Sequence, residues 1–226
     1  MYDDLYNFIY QKEEMKREFD SNDFVKELEH LKSQDNEFCY EVLINPETNE
    51  LQQAIWMFPE QKMNYCRFCD VVVFDNTYKT NRFGMPFGIF TGVNNYGQSI
   101  CFAGTIMCNE TAESFFWTFS SFLKMVNDSS PKVFLTDEDQ AIIKAADLIF
   151  VPHGTKHALC LWHLLKNVVK NLNGILGSKW AEFIKFFYKC LDEYDEDEFL
   201  EKWNQLKTNY PSTCKYLEKM NRNLKH

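Results

Sequence analysis

The sequence predicts an α/β protein in which a mixed sheet is covered by helices on both faces. Three observations support this fold class. An apolar run, Val71–Phe74, ends at Asp75, two further strand-like segments follow it closely, and strand and helix patterns alternate from about residue 111. The chain has 226 residues, of which 45% are hydrophobic and 16% aromatic, so a sizeable core can form.

The sequence predicts an N-terminal region of helix and hairpin over residues 1–65, followed by one larger domain over residues 66–226. Helix is predicted by apolar residues at three- and four-residue intervals in the first 35 residues, namely Leu5, Phe8, Ile9, Phe24, Val25, Leu28 and Leu31. The alternating segments FCYEVLI and LQQAIWMF flank NPETNE, which predicts a hairpin. Residues 60–68 predict one or two helical turns.

The order of the predicted strands and helices after residue 70 indicates the fold. Because Val71–Phe74 is apolar on both faces, we expect it in the middle of a covered sheet. The other predicted strands are 87–93, 99–107, 132–135 and 156–160, and the helices are 111–126, 141–149 and 161–172, with a later break near Tyr210-Pro211. Three antiparallel strands followed by alternating strands and helices are the order of the RNase H-like fold. In that fold the first and fourth strands are neighbours, which would bring Asp75 and Asp137 together.

Charge and cysteine content narrow the function classes. With 24 basic and 33 acidic residues the formal net charge is −9, which argues against a simple electrostatic nucleic-acid binder but leaves room for an enzyme with an acidic metal site. The eight cysteines lack the spacing of a disulfide framework. Neither a signal peptide nor an apolar stretch of about 18 residues is present, so we expect a reduced intracellular protein with no membrane partner.

Asp75 and Asp137 each follow an apolar strand. A carboxylate in such a place is costly unless it is solvated, paired or bound to metal. Two carboxylates side by side repel each other, and Mg²⁺ or Mn²⁺, which prefer oxygen ligands, would relieve that repulsion and could serve phosphodiester chemistry. The alternative is that both are strand-end residues that begin turns or cap helices. For Glu138 and Asp139 we expect a place in the first turn of the next helix.

Three segments in order carry a family resemblance. VVVFDNTYKTNRFGMPFGIFTGVNNYGQSICFAGTIMCNETAESFFWTF, VFLTDEDQAIIKAA and HALCLWHLLKNV resemble the transposase domain of Mutator-like elements (MULE), in particular the plant far-red-impaired-response family of domesticated transposases. The resemblance covers about residues 66–170. It implies an RNase H-like DDE core, with Asp75 as first catalytic acid, Asp137 as second, and a helical insertion at about residues 161–195.

The third acid of the triad is open between two residues. The family places it on a helix in a stretch resembling E-F-E followed by Trp, whereas this sequence reads EFLEKW over residues 198–203, with Leu200 after the Phe. Glu201, and as an alternative Glu198, could substitute, since residues three apart share a helical face. Otherwise the triad is broken. The acids just before them, at 192–197, are typical of a solvated face.

A Cys-x-x-His pair, Cys160 and His163, has spacing that suits two ligands of one Zn²⁺, and the family carries this signature. Cys66 and Cys69 could complete four ligands if the fold brings them close. The alternative is a buried cysteine followed by a histidine that caps or packs at a helix start.

A basic stretch precedes the acidic one. Residues 156–190 carry six lysines and one acid, while residues 192–201 carry seven acids and no base. Lys156, Lys166 and Lys170 are therefore candidates for contacts to a DNA backbone, with ordinary surface lysines as the alternative. The aromatic residues at 183, 186, 187 and 188 and the tryptophans Trp117, Trp162 and Trp203 are predicted to be core.

Together these features predict a MULE-type transposase catalytic domain, with Mg²⁺ or Mn²⁺ held by Asp75, Asp137 and Glu201. It would cleave DNA strands and transfer them, with water and then a DNA 3′-hydroxyl as nucleophile. The alternative is a catalytically inactive, transposase-derived transcription regulator or scaffold. We expect DNA as the partner, a nuclear location, a homo-oligomer in the manner of transposases and no small-molecule substrate. The ending NRNLKH inside helical sequence suggests a truncated copy or a fragment.

Overall fold

The protein contains a seven-stranded mixed sheet. The computed structural model describes the backbone of residues 21–77 and 85–224 and the side chains of residues 23–76, 85–218 and 220. The strands are β1 (Cys39–Ile44), β2 (Leu51–Met57), β3 (Val71–Thr77), β4 (Phe87–Val93), β5 (Ser99–Met107), β6 (Val133–Thr136) and β7 (Lys156–Leu159). They lie in the order β1-β2-β5-β4-β3-β6-β7. Strands β3 to β7 thus have the RNase H-like arrangement predicted from sequence, and the predicted hairpin β1–β2 extends the sheet beyond β5.

The helices are α1 (Ser21–Gln34), α2 (Pro59–Phe68), α3 (Ala112–Met125), α4 (Gln140–Ile149), α5 (Leu161–Leu176), α6 (Trp180–Leu191), α7 (Glu196–Asn209) and α8 (Cys214–Leu224). Helix α5 runs four residues further than its predicted end, to the residue before Gly177. The predicted break at Tyr210-Pro211 is confirmed, since α7 ends at Asn209. The predicted helical residues Leu5, Phe8 and Ile9 lie outside the described part of the chain.

Helices lie on both faces of the sheet, as predicted. On one face, Phe residues of the sheet pack against α3, and the rings of Phe90 and Phe122 stack with centroids 4.0 Å apart. On the other face, Phe24 and Leu28 of α1 pack in a cluster with Trp56 of β2. Along β2, Ile55 and Met57 belong to the first cluster and Ala54 and Trp56 to the second, as expected when successive side chains of a strand point to opposite faces and both faces are covered.

The prediction that β3 is covered on both faces is wrong for one of them. Val72 and Phe74 are buried in the core, whereas Val71 on the opposite face is 42% exposed and Val73 is half-buried. The reason is the strand order: α1 packs over β2 and β5, and β3 lies two strands beyond β5. The apolar run therefore reflected a central position in the sheet, while only one of its faces is sealed.

The chain divides into two compact units, one ending at Ala158 and the other beginning at Leu159. The second unit has its own core, built from one side of each of its helices, and includes Leu164, Val168, Phe183, Phe187 and Trp203. No described helix is long and apolar enough to cross a membrane.

Trp162 is not the core residue that the sequence predicted. Its side chain is 60% exposed, whereas Trp203 is 1% exposed and buried as predicted. The buried residues of α5 are Leu164, Val168, Leu172 and Leu176. Trp162 lies two residues before that stripe, which is about 200° around the helix, so it faces away from the core. Tyr188 is likewise exposed, against expectation, while Phe183 and Phe187 are buried.

Candidate active site

Asp75 lies near the end of β3, and Asp137 directly follows the neighbouring parallel strand β6. Strand β3 pairs with β6 in the register Val71↔Val133, Val72↔Phe134 and Val73↔Leu135. Extending this register by two residues sets Asp75 beside Asp137, although they are 62 positions apart in the sequence. Neighbouring strands are about 4.8 Å apart, and residues in register point to the same face. Two half-buried carboxylic acids thus share one end of the sheet.

The face on which they lie follows from the alternation along β3. Phe74 is buried in the aromatic core on the α3 side, so Asp75 belongs to the opposite face, with Val71 and Val73. Two carboxylate oxygens on a partly open face are the donor set that a hard divalent cation prefers, with water filling the other positions. The residues present therefore fit Mg²⁺ or Mn²⁺ as a two-residue site.

Asp137 is held in a turn between β6 and α4. Its Oδ1 accepts a hydrogen bond from the Asp139 backbone N–H at 3.0 Å, and Asp139 in turn caps α4 by accepting from the N–H groups of Ala141 and Ile142. Helix α4 begins at Gln140, so Glu138 and Asp139 precede it and do not lie in its first turn as predicted. Asp139 is therefore the N-cap of α4, a role that was not predicted from the sequence.

A further carboxylate near this end of the sheet was missed by sequence reasoning. The side-chain amide of Asn76, the residue after Asp75, donates to Glu110 Oε1 at 2.6 Å. Glu110 lies in the connection between β5 and α3, so the contact links that connection to the end of β3. The two residues are 34 positions apart, and no spacing rule pairs an amide with an acid at that distance.

Both candidates for the third acid, Glu198 and Glu201, are exposed residues of α7 in the second unit. Glu198 Oε2 lies 4.0 Å from Lys202 Nζ, and Glu201 Oε1 accepts from the Gln205 amide at 3.1 Å. Because a lysine beside Glu198 would compete with a bound cation, the local contacts favour Glu201.

Two acids from the run before these candidates have structural roles. Asp195 caps α7 by accepting from the backbone N–H groups of residues 197 and 198. Glu193 forms an ion pair with Lys202, and this hydrogen bond lowers the pKa of the Glu193 carboxyl. The run is therefore more than a solvated face.

The predicted zinc ligands Cys160 and His163 lie at the start of α5. Cys160 is the residue before α5 and makes no capping hydrogen bond through its side chain, and His163 lies in the first turn, its ring edge-on to Trp162 at 4.6 Å. Cys66 is exposed, and burial raises the pKa of the Cys69 thiol, which disfavours the thiolate that zinc needs. Among the described residues no three His, Cys, Asp or Glu side chains group closely enough to hold one metal ion.

The three candidate DNA-contacting lysines, Lys156, Lys166 and Lys170, are all exposed. Lys166 Nζ lies 4.8 Å from the centre of the exposed Trp162 ring, a cation–π contact one turn apart on α5. Helix α5 carries no acidic residue over Leu161–Leu176. Its exposed side therefore combines an aromatic ring with positive charge, in a chain whose net charge is −9.

The chain matches one known protein family over the segment that contains most of this sheet. The MULE transposase domain is the family whose model matches, over residues 71–167. This match confirms the resemblance to that family predicted from the sequence. The matched segment contains both Asp75 and Asp137, together with Cys160 and His163.

Curated relatives come from Arabidopsis thaliana. The chain is 34% identical over 184 residues to Protein FAR1-RELATED SEQUENCE 5, covering 81% of this chain and 23% of the relative. It is 28% identical over 187 residues to Protein FAR-RED IMPAIRED RESPONSE 1, covering 82% of this chain and 22% of the relative. The chain thus spans about a quarter of the length of the curated relatives it matches.

Among solved structures, the chain is similar to the HTLV-2 integrase catalytic core domain in its trimeric form, a complex with magnesium. The similarity has a TM-score of 0.29 at 17% identity and covers 61% of this chain and 82% of that one. The strand order above, rather than this similarity, carries the assignment of the RNase H-like fold.

Proposed function

We propose that this chain is a MULE-type transposase catalytic domain that cleaves and transfers DNA strands with the help of a divalent metal ion. The observation that supports the proposal is the β3–β6 register, whose extension by two residues from Val73 and Leu135 reaches Asp75 and Asp137, both within the family match. A purely structural pair of strand-end aspartates would gain nothing from this juxtaposition, because like charges side by side oppose folding.

The roles follow from the chemistry of each group. Asp75, Asp137 and Glu201, with Glu198 as the alternative, would hold Mg²⁺ or Mn²⁺. When bound, such an ion stabilises the negative charge that develops at a phosphodiester under attack. The attacking oxygen belongs first to water and then to a DNA 3′-hydroxyl, and the displaced oxygen leaves with the bonding electron pair. No covalent protein intermediate is required.

DNA would be held through its backbone. Lys156, Lys166 and Lys170 are exposed and can contact phosphates without reading sequence. DNA as substrate also makes a nuclear location the expected one. Homo-oligomerisation, common among transposases, and zinc at Cys160 and His163 stay predictions; zinc would need further ligands beyond this pair.

A nicking assay tests the proposal and separates it from the alternative, an inactive transposase-derived regulator or scaffold. Supercoiled plasmid is incubated with the protein and Mn²⁺, and relaxed product is measured. We expect nicking by the wild type, loss of more than about 100-fold in D75N, D137N and E201Q, and retention in E198Q and in D70N. The last removes an exposed acid at the opposite end of β3, paired with Lys132 at 2.7 Å. Absence of metal-dependent nicking by the wild type would favour the scaffold.

A further inference from the structure

His157 on β7 is a buried titratable residue with both ring nitrogens engaged. Its side chain is 4% exposed. Nδ1 lies 2.8 Å from Asp147 Oδ1 on α4, and Nε2 lies 2.9 Å from the hydroxyl of Thr136 on β6. Thr136 is fully buried. Strands β6 and β7 are neighbours, so the imidazole on β7 links the end of β6 to α4.

The chain of contacts continues to Asp137. The Thr136 hydroxyl donates to the backbone carbonyl of Asp137 at 3.0 Å. On its other side, the Asp137 carboxylate accepts from the Asp139 N–H, also at 3.0 Å. The residue is therefore restrained at two points, its carbonyl by the buried hydroxyl and its carboxylate by the turn that caps α4.

Burying this hydrogen-bond network in the core costs more free energy than burying apolar side chains would. Its neighbours on the same face are aromatic: Phe134 lies two residues before Thr136 and its ring centre is 6.3 Å from that of His157. Burying a hydroxyl and an imidazole there is unfavourable unless each finds hydrogen-bond partners, and apolar residues of similar size would meet no such penalty. The partners that are found lead to the backbone of one residue, Asp137.

We propose that Thr136 and His157 are positioning residues that fix Asp137 for metal binding. The inference rests on the proposed function, in which Asp137 is a metal ligand. The His157 imidazole, anchored by Asp147, fixes the rotamer of Thr136, and the Thr136 hydroxyl fixes the Asp137 carbonyl. The turn that presents the carboxylate therefore has one conformation before metal arrives. Residues that orient metal ligands in this way commonly change metal affinity by about 10–100-fold when removed.

The decisive variant is Thr136→Val, which removes the hydroxyl and keeps the shape. Its matched control is Thr105→Val: Thr105 is also fully buried in the sheet, and its hydroxyl donates to the Ala54 carbonyl at 2.9 Å, on β2. Thr105→Val loses one buried hydroxyl-to-carbonyl hydrogen bond, whereas Thr136→Val loses such a bond and also the contact with His157 Nε2, so we expect the thermal stability to fall in both variants and further in T136V. Thr136→Ser keeps the hydroxyl and serves as the conservative rescue.

Two measurements are made on the full chain. Without metal, ¹⁵N relaxation gives the order parameters of the amides at 137–139, which we expect to fall from about 0.85 to below about 0.6 in T136V alone. With Mn²⁺, calorimetry should show affinity about 10-fold or more weaker in T136V, and wild-type affinity in T105V and T136S.

The two measurements separate this inference from the proposed function. If the wild type binds no Mn²⁺, the proposed function fails, and the metal-free order parameters still decide whether Thr136 orders the turn. If the wild type binds Mn²⁺ but T136V and T105V bind it equally well, the positioning role is overturned. Unchanged order parameters in T136V would overturn it as well.

Discussion

Asp75 lies two residues beyond Val73 on β3, and Asp137 lies two residues beyond Leu135, the register partner of Val73 on β6. Extending the register therefore pairs two aspartates that are distant in the sequence. Parallel strands that leave the sheet in the same direction bring their ends together, which is why acidic sites form at such edges. Residues 71–167, which match the MULE transposase domain, contain both members.

Replacing two glycines by alanine should change the stability of the fold in opposite directions. A Cβ on Gly104 would lie 2.8 Å from the Trp56 ring, whereas one on Gly174, in α5, meets nothing within 4 Å. We expect Gly104→Ala to destabilise by about 1–3 kcal/mol through overpacking, and Gly174→Ala to stabilise by up to about 1 kcal/mol through helix propensity. Thermal unfolding checks both signs. Equal shifts in the two variants would contradict this account of the β2–β5 contact.

The Glu193–Lys202 ion pair should make the second unit sensitive to acid. Its hydrogen bond lowers the folded-state pKa of Glu193 below the unfolded value of about 4.3. The stabilisation is therefore present above about pH 4.3 and is lost as pH falls through the lowered pKa. Glu193→Gln should lower the melting temperature at pH 6, and the difference from wild type should shrink toward pH 3. Glu182→Gln, at an exposed glutamate of α6, is the control. A difference that does not change with pH would refute the assignment.

The lysines of α5 should contribute to the salt dependence of DNA binding. If Lys166 and Lys170 each neutralise one duplex phosphate, replacing both by Gln should reduce the slope of log K against log [salt] by about 1.8, since each contact contributes about 0.9. The control is Lys26→Gln, which removes an exposed lysine of α1 that pairs with Asp23 at 3.5 Å. Fluorescence anisotropy with duplex DNA measures the slope. An unchanged slope in the double variant would show that these are ordinary surface lysines.

The sequence predicted the sheet well because its strands carry local signals. The Val71–Phe74 run, the NNYGQ turn and the NPETNE turn each mark an element without reference to the rest of the chain. The pairing of Asp75 with Asp137 was also within reach, because it follows from the element order once the fold is recognised. The family resemblance reached the same two residues independently.

Side-chain contacts between residues that are far apart in the sequence could not be predicted from it. Nothing in the sequence pairs Asn76 with Glu110 or Thr136 with His157, since amides, hydroxyls and imidazoles have many possible partners. Trp162 is exposed because it lies about 200° around α5 from Leu164, where the buried stripe begins, and its residue type alone does not show this. The third acid stays a prediction for a related reason: the family pattern is interrupted by Leu200, and Glu198 and Glu201 share one face.

The measurement that tests the central claim most directly is a calorimetric titration of Mn²⁺ into the metal-free wild type, Asp75→Asn, Asp137→Asn and the control Asp70→Asn. The account predicts binding by the wild type and by D70N, and loss of binding in both site variants. It also predicts that Mn²⁺ at about 100 times its Kd stabilises the wild-type fold by about 2.7 kcal/mol. A wild type that binds no Mn²⁺, or a D75N variant that binds it as the wild type does, would contradict a metal site at the end of β3 and β6.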